Sequence, residues 1–495
     1  MDPSHQELKA VLKQDFAAFL EKCFYTMNPG RTYYANWHLE AMGYRLEQCR
    51  KGKSTRLQIR MPPRNLKSET VSVAYTAWLL GQDPTTRIIG LSYSEQLAKK
   101  FSRATRKVME APWYQDLFPA TVLSATKQTE TEIHTTKNGY RIALSMSGSL
   151  TGQGGDYVII DDPHPADHAL SEAERKRVIA EYTESVPSRL DNPDKGVIIM
   201  VCQRIHAQDL SGHLEEKGGW GILNLPALAT KEYEEIRLND KHTIERFEGD
   251  LLHPERLSHK TLDQLKSEVG SYAFAAQYQQ EPAPPGGVIF HLDWFPRYQK
   301  HRPWKDYDVI IDSWDTASGT KDGNAYSVCT TWGRYDGSWY LLDCYREQLQ
   351  FTQLVRAIEI GAKQHHAHGV LIENASSGTA AWQYLSDKDI YIIPITPKGD
   401  KESRAIQVTP RLEAGRVYLP TQAPWLPEFE KELLEFPFGK YADQVDSMTQ
   451  FLNWFFDPGR PRIEFRVRTY TSGGSQLVYQ DKYFDRTGLK AHPLL

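Results

Sequence analysis

Short apolar runs rich in β-branched residues recur along the first half of the chain, at 57–61, 87–91, 142–146, 157–160 and 197–201. Longer segments separate them, such as 94–109 and 171–190, in which apolar residues return every three to four positions. Runs too short for helices, continuous rather than alternating, predict strands buried on both faces, and the segments between them predict helices. Strands alternating with helices imply a parallel sheet covered on both sides. Residues 1–55 lack the strand pattern and read as helical, with aromatics at Phe24, Tyr25, Tyr33, Tyr34 and Trp37.

The pattern changes near residue 280. Residues 258–280 read as one helix, and the chain then runs through Gln279-Gln-Glu-Pro-Ala-Pro-Pro-Gly-Gly287, a Pro/Gly cluster that predicts a linker. Beyond it, apolar runs at 308–312, 325–332 and 338–343 are divided by the turn pairs Asp322-Gly323 and Asp336-Gly337, which predicts an antiparallel meander. Next come helix 351–365, strand 369–372, helix 378–386, strand 391–394 and helices to about residue 456. Three antiparallel strands followed by αβαβα is the element order of an RNase H-like fold. The last 38 residues, 458–495, read as irregular.

Composition narrows the setting. Fifty-nine Lys and Arg against 63 Asp and Glu give a formal charge of −4 over 495 residues, with ordinary apolar content. At about 100–200 residues per domain, about three domains are expected. No run approaches the roughly 20 apolar residues of a membrane helix, and the polar N-terminus lacks the apolar core of a signal peptide. The five cysteines, Cys23, Cys49, Cys202, Cys329 and Cys344, are scattered and never spaced C-x-x-C, which argues against disulfides and zinc. A near-neutral sum counts against a dedicated DNA-binding domain, which is usually basic.

Two segments carry phosphate chemistry. Residues 57–70 form a strand, a turn and a helix start, with Lys67-Ser68 at the point where a P-loop sets its phosphate-binding lysine and Mg²⁺-binding hydroxyl. Pro63, Arg64, Asn65, Leu66 and Glu69 complete the candidate loop. Some 95 residues on, the apolar run Tyr157-Val-Ile-Ile ends in Asp161 and Asp162, as a Walker B strand does: the first acid holds Mg²⁺ and the second orients the attacking water. A third run ends at Gln203 and Arg204, natural sensors of the γ-phosphate.

The second half offers carboxylates instead. Asp315 closes the first strand after the linker and Glu373 closes a later one. Asp443 and Asp446 lie i,i+3 at the start of the last helix, able to face one way. Acids at these places suit a two-metal nuclease, because hard cations take oxygen ligands. Asp312 and Asp343 compete for the same role. The tract His365-His366-Ala-His368 reads as the surface end of a helix, where histidine is favourable.

Several strings together resemble the large terminase subunit of tailed bacteriophages: Met61-Pro-Pro-Arg-Asn-Leu-Lys-Ser-Glu69, Ile159-Ile-Asp-Asp-Pro163, Gln203-Arg-Ile-His-Ala-Gln-Asp-Leu210, Gln277-Tyr-Gln-Gln-Glu-Pro282, Ser313-Trp-Asp-Thr-Ala317, Ile372-Glu-Asn-Ala-Ser-Ser-Gly378 and Asp443-Gln-Val-Asp446. The resemblance implies an α/β chain with a P-loop ATPase of the ASCE/RecA-like type, followed by an RNase H-like nuclease. Its expected divisions are a helical segment at 1–55, the ATPase core at 56–230, a helical lid or linker at 231–287, the nuclease at 288–457 and a tail at 458–495. It implies a motor that hydrolyses ATP to drive double-stranded DNA through the portal protein into a procapsid and cuts the concatemer with a metal-dependent endonuclease. ATP and Mg²⁺ are the implied cofactors, with Mn²⁺ an option at the nuclease. The implied partners are the small terminase subunit and further copies of the chain in a ring, with five subunits the expectation. The place of action is the host cytoplasm, transiently at the procapsid portal, with no membrane and no lasting place in the virion.

Carried over residue by residue, the resemblance gives Arg64 the position of the family's Walker A arginine and puts Asp162 where a catalytic Glu is usual. It makes Asp161 and Ser68 ligands of the nucleotide's metal, and Asp315, Glu373, Asp443 and Asp446 ligands at the nuclease. The sequence also departs from the family. Leu66 stands where glycine precedes the lysine, and its β-carbon restricts the loop and is expected to weaken ATP binding. No arginine lies in Ser149-Leu-Thr-Gly-Gln-Gly-Gly155, so Arg141, Arg204 or another residue must supply a trans charge, or hydrolysis is slow. Ala325 stands where relatives often carry an Asp, and Tyr441-Ala442 where they often carry His-Asp. Two other readings compete: a nucleotide-gated DNA-binding protein with little or no ATPase activity, and an ATP-dependent helicase-nuclease. Residues 458–495 sum to +4, seven cations against three acids, which leaves two readings, a tail touching DNA or the portal and a flexible solvated end.

Overall fold

The computed structural model describes residues 3–148, 152–165, 171–282, 289–316, 326–374, 377–386, 388, 390–457, 463–470, 477–485 and 488–491. It falls into two compact units, Met1–Pro285 and Gly286–Leu495.

The first unit is built on eight strands: β1 (Arg56–Arg60), β2 (Arg87–Ser92), β3 (Leu123–Gln128), β4 (Glu132–Thr135), β5 (Tyr140–Ser145), β6 (Tyr157–Asp161), β7 (Val197–Cys202) and β8 (Gly221–Asn224), in the order β3-β4-β5-β2-β6-β7-β1-β8. The six strands from β5 to β8 are parallel, as the continuous apolar runs predict, and only the β3–β4 edge is antiparallel. The reason for unbroken apolarity is visible in β7. Val197, Ile199 and Val201 enter one core and Ile198, Met200 and Cys202 enter another, so both faces of the strand are dry. Helices Phe16–Met27 and Trp37–Arg50 cover the first core with Phe19, Leu20, Met42 and Leu46. Strand β7 lies between β1 and β6, so the loops after these three strands open side by side at one end of the sheet.

After this sheet come a hairpin, β9 (Tyr233–Arg237) with β10 (Thr243–Phe247), and two helices, His259–Val269 and Ser271–Gln277. The single helix expected over 258–280 is broken at Gly270, whose φ of 83° ends the first helix and turns the chain into the second.

The second unit has a seven-stranded sheet made of β11 (Arg297–Tyr298), β12 (Val309–Asp315), β13 (Ser327–Tyr335), β14 (Ser338–Glu347), β15 (Gly369–Glu373), β16 (Ile392–Ile395) and β17 (Val417–Pro420), ordered β11-β17-β14-β13-β12-β15-β16. Strands β12, β13 and β14 form the predicted antiparallel meander. The Asp322-Gly323 turn lies outside the described residues. Strand β17, hidden by its brevity in a stretch that reads as helical, pairs in parallel with β14. One face of β12 and its neighbours packs Trp314, Val370 and Ile372 against helices Phe351–Gln364 and Ser377–Leu385. The opposite face receives the helix Asp443–Phe456, where Trp332 stacks on Phe451 at 4.8 Å and 7°. The segment expected to be irregular instead forms an antiparallel sheet, β18 (Ile463–Tyr470), β19 (Leu477–Asp485) and β20 (Gly488–Ala491).

Candidate functional site

In the first unit, the loop after β1 turns twice through left-handed backbone, at Arg64 (φ 65°) and Leu66 (φ 60°). Position 66 therefore takes the conformation that glycine adopts freely and leucine resists. The leucine answers with packing, because its side chain lies against the core under the loop. A β-branched residue would be strained further at this φ, so Leu66→Val is expected to lower the unit's thermal midpoint more than Leu66→Asn, read by circular dichroism melts. Asn65 is buried, and its side-chain amide donates to the carbonyls of Pro62 (3.3 Å) and Pro63 (3.2 Å). His38 Nε2 lies 3.3 Å from the Asn65 carbonyl. Burial holds His38 neutral, down to about 3.

The loop leads into a helix that begins at Lys67-Ser68, winds as a π-helix over Glu69–Tyr75 and continues as Thr76–Gln82. Lys67 Nζ lies 3.2 Å from Asp162 Oδ2. Ser68 Oγ donates to Asp161 Oδ1 at 2.8 Å, and Ser72 Oγ donates to Oδ2 of the same carboxylate. Ser72 went unnoticed in the sequence, although it follows Ser68 by one helical turn. Asp162 has a φ of 44°, and its Oδ1 accepts from the Gln203 amide at 3.1 Å. Burial and the neighbouring Asp162 raise the Asp161 carboxyl to about 7, against the two serines and Lys67, which favour its charge. The loop, Lys67, Ser68, Asp161, Asp162 and Gln203 are thus brought together, and Arg64 is exposed at the rim.

The two candidate trans cations are placed elsewhere. Arg204 is buried, its Nε 3.1 Å from both oxygens of Asp209, and its Nη2 donates to the carbonyls of His206 and Ala207. It braces the start of helix Leu210–Lys217. Arg141 is buried on β5, where burial lowers it to about 10 and the charge of Asp161 supports it. An arginine so enclosed cannot reach another subunit. Residues 149–151 of the arginine-free segment 149–155 lie outside the described residues.

In the second unit, strand alternation decides among the acids. Asp312 and Asp315 sit on opposite faces of β12. Asp312 is fully buried; its carboxylate accepts from Thr331 Oγ1 at 2.8 Å and lies 3.1 Å from His365 Nδ1. His365 Nε2 lies 3.4 Å from Asp343. His365 does end its helix, as the C-cap, but its ring is turned inward onto two carboxylates instead of lying at the surface. Burial pulls its pKa down, but hydrogen bonds to Asp312 and Asp343 outweigh this and lift it to about 9. His368 is half-buried, its Nδ1 accepting from the Ile310 amide at 3.1 Å.

His365→Ala strands a buried carboxylate and is expected to cost about 3–5 kcal/mol at pH 7. The raised folded pKa means the charged pair stabilises fully below about 6.5, the unfolded value, and fades as pH rises through about 9. Chemical denaturation at pH 6 and pH 10 should show a large wild-type-to-variant gap at the first and a smaller one at the second.

Asp315 faces the last helix. Ser313 and Ser447 exchange hydrogen bonds at 2.8 and 2.7 Å, and Gln450 Nε2 donates to Ser313 Oγ at 3.0 Å, which fixes that helix against β12. Glu432 caps its first turn, accepting from the Gln444 amide at 2.6 Å and the Val445 amide at 3.0 Å. Asp443 and Asp446 are thereby aimed at the ends of β12 and β15. Burial and the charges of Asp446, Glu373 and Asp443, only partly answered by Lys401, push the Asp315 carboxyl well above the usual range. Burial and Asp446 raise Asp443 likewise, against Lys401 and Arg346.

Asp446 is committed: Lys401 Nζ is 2.5 Å from one oxygen and Arg404 Nη2 is 2.8 Å from the other. That leaves Asp443 as the open carboxylate of the turn. Lys401 and Arg404, i,i+3 behind the N-cap Asp400, were missed in the sequence, as was Arg346, whose guanidinium lies 4.0 Å from the Tyr326 ring and 4.6 Å from that of Tyr441. Among the described residues, no three His, Cys, Asp or Glu side chains already converge as a metal cage. The donor chemistry nonetheless suits a hard cation, since the carboxylates of Asp315, Glu373, Asp443 and Asp446 crowd one another and the cations Lys401 and Arg346 only partly offset them at Asp315 and Asp443. Among the described residues no helix is long and apolar enough to cross a membrane.

A family model described as terminase large subunit, T4likevirus-type, N-terminal, matches residues 66–297, and one described as terminase RNaseH-like domain matches residues 312–454. No curated protein matches the chain. Among solved structures, the large terminase of a thermophilic bacteriophage is 13% identical, with 85% of this chain and 99% of that chain covered and a TM-score of 0.49. The same terminase has been solved in complex with ATP-gamma-S. The HK97 bacteriophage large terminase is 11% identical over 88% of this chain and 98% of that chain, with a TM-score of 0.38. The large terminase nuclease of another thermophilic phage, G20c, solved with bound magnesium, is 17% identical over 34% of this chain and 97% of that chain, with a TM-score of 0.27.

Proposed function

The chain belongs to the large terminase subunit family, an ATPase domain followed by an RNase H-like nuclease domain, and from that premise we propose that it drives double-stranded DNA into a procapsid and cuts it there. The observation that carries the ATPase half is the convergence of Lys67, Ser68, Asp161 and Asp162 at the ends of β1 and β6, on either side of β7. Lys67 and the backbone amides of 64–69 bind the phosphates of ATP, and the nucleotide takes Lys67 from Asp162. Asp162, so released, orients the attacking water, and Gln203, whose amide already holds Asp162, registers the γ-phosphate. Ser68 and Asp161 would hold the nucleotide's Mg²⁺. The second half is RNase H-like and not RecA-like, which favours the packaging motor over a helicase-nuclease.

In the nuclease, Asp315, Glu373 and Asp443 would hold divalent metal, Mg²⁺ or Mn²⁺, with Asp446 kept in place by Lys401 and Arg404. Bound metal supplies an activated water and a stabilised leaving oxygen. The motor acts as a ring of copies, expected to be five, on the portal in the host cytoplasm, with the small subunit presenting DNA. ATP turnover in the presence of portal-bearing procapsids tests this reading: stimulated hydrolysis that Lys67→Ala removes is expected. No hydrolysis there, with the variant indistinguishable from wild type, leaves the nucleotide-gated binding protein as the better account.

A further inference from the structure

Beside the nuclease acids lies a cleft of about 570 Å³ whose walls include Glu373 and Asp446. It extends well past them. One wall is the helix Lys401–Glu413, where Arg404, Gln407 and Arg411 fall at i, i+3 and i+7 and so share a face. The other wall is the last helix, where Asn453 and Trp454 continue the face that Asp446 begins. Arg404 is tied to Asp446 at the inner end. Arg411 stands about 10 Å farther along the helix axis, its guanidinium 4.9 Å from the Phe456 ring. Lys398 adds a third cation, and Asp457 a carboxylate beside Phe456.

A row of cations spaced along a groove, with aromatic and amide side chains opposite, is the chemistry that holds a single nucleic-acid strand: phosphates on the cations, bases on the rings. The volume is that of a small-ligand site, on the scale of a few nucleotides of one strand. We propose that this cleft takes the single DNA strand adjoining the scissile phosphate, peeled from its complement, with phosphates on Arg411 and Lys398 and a base against Trp454. The inference rests on the nuclease reading and adds to it that the strand is opened before it is cut.

A labelled single-stranded DNA oligonucleotide, bound to the full chain in EDTA with unlabelled duplex present to fill other DNA sites, tests this by fluorescence anisotropy. Arg411→Ala and Lys398→Ala each should weaken binding about tenfold and flatten its salt dependence by about one unit. In Mn²⁺, Arg411→Ala should raise KM for plasmid cutting with kcat unchanged. Variants that bind the oligonucleotide and cut plasmid as wild type does would overturn the cleft, as would equal weakening for single-stranded and duplex probes. If wild type fails to cut yet binds the oligonucleotide in an Arg411-dependent way, the nuclease reading falls and the strand-binding cleft stands.

Discussion

Lys67→Ala should reduce ATP turnover by at least about 10²–10³-fold while leaving plasmid cutting intact. The lysine is the cation at the head of the loop, and removing one charge-stabilising donor from a preorganised site costs about that much. The variant should fold. Lys67 is itself buried, but its partner Asp162 keeps 23% side-chain exposure, so the carboxylate left behind can turn to water. Lys67→Arg should not rescue, since a guanidinium is broader and planar where the loop, pinned by Asn65 and the left-handed turn at Leu66, leaves room for an ammonium. A coupled-enzyme ATPase assay beside a plasmid assay checks both halves of the expectation.

The second large effect is the reverse one. Asp315→Asn should abolish Mn²⁺-dependent plasmid cutting and leave ATP turnover unchanged. Burial and the charges of Asp446, Glu373 and Asp443 raise the Asp315 carboxyl, and a divalent cation relieves that crowding. An amide there removes the charge without changing the volume, so loss of cutting reports chemistry and not collapse. Glu373→Gln should behave alike. Asp446→Asn should act differently: it frees Lys401 and Arg404 from their carboxylate and loosens the turn that aims Asp443, so cutting should fall without vanishing.

Much of this is legible in the chain, and the illegible parts have physical reasons. Strands β6 and β7 announce themselves because double-sided burial leaves an unbroken apolar run. Asp161 and Asp162 are readable because they end such a run. The left-handed turn at Leu66 reads as a defect, since sequence shows the β-carbon but not the core beneath it that offsets the strain. Arg204 looks free because its partner Asp209 lies five residues on, across a turn that no helical or strand period links. Asp312 can be separated from Asp315 by alternation alone, but the histidine that neutralises it comes from the end of a helix 53 residues away. Strand β17 and the break at Gly270 are lost to short length and to glycine's double meaning, and the cations around Asp446 are lost because the acids draw attention to themselves.

The central claim is that one chain couples ATP hydrolysis to DNA movement. Mixing purified protein, portal-bearing procapsids and linear duplex DNA with ATP, then adding DNase, measures it directly. The account predicts DNA protected from digestion with wild type and with Asp315→Asn, and none protected with Lys67→Ala. Protection that persists in Lys67→Ala, or that forms without ATP, would contradict it.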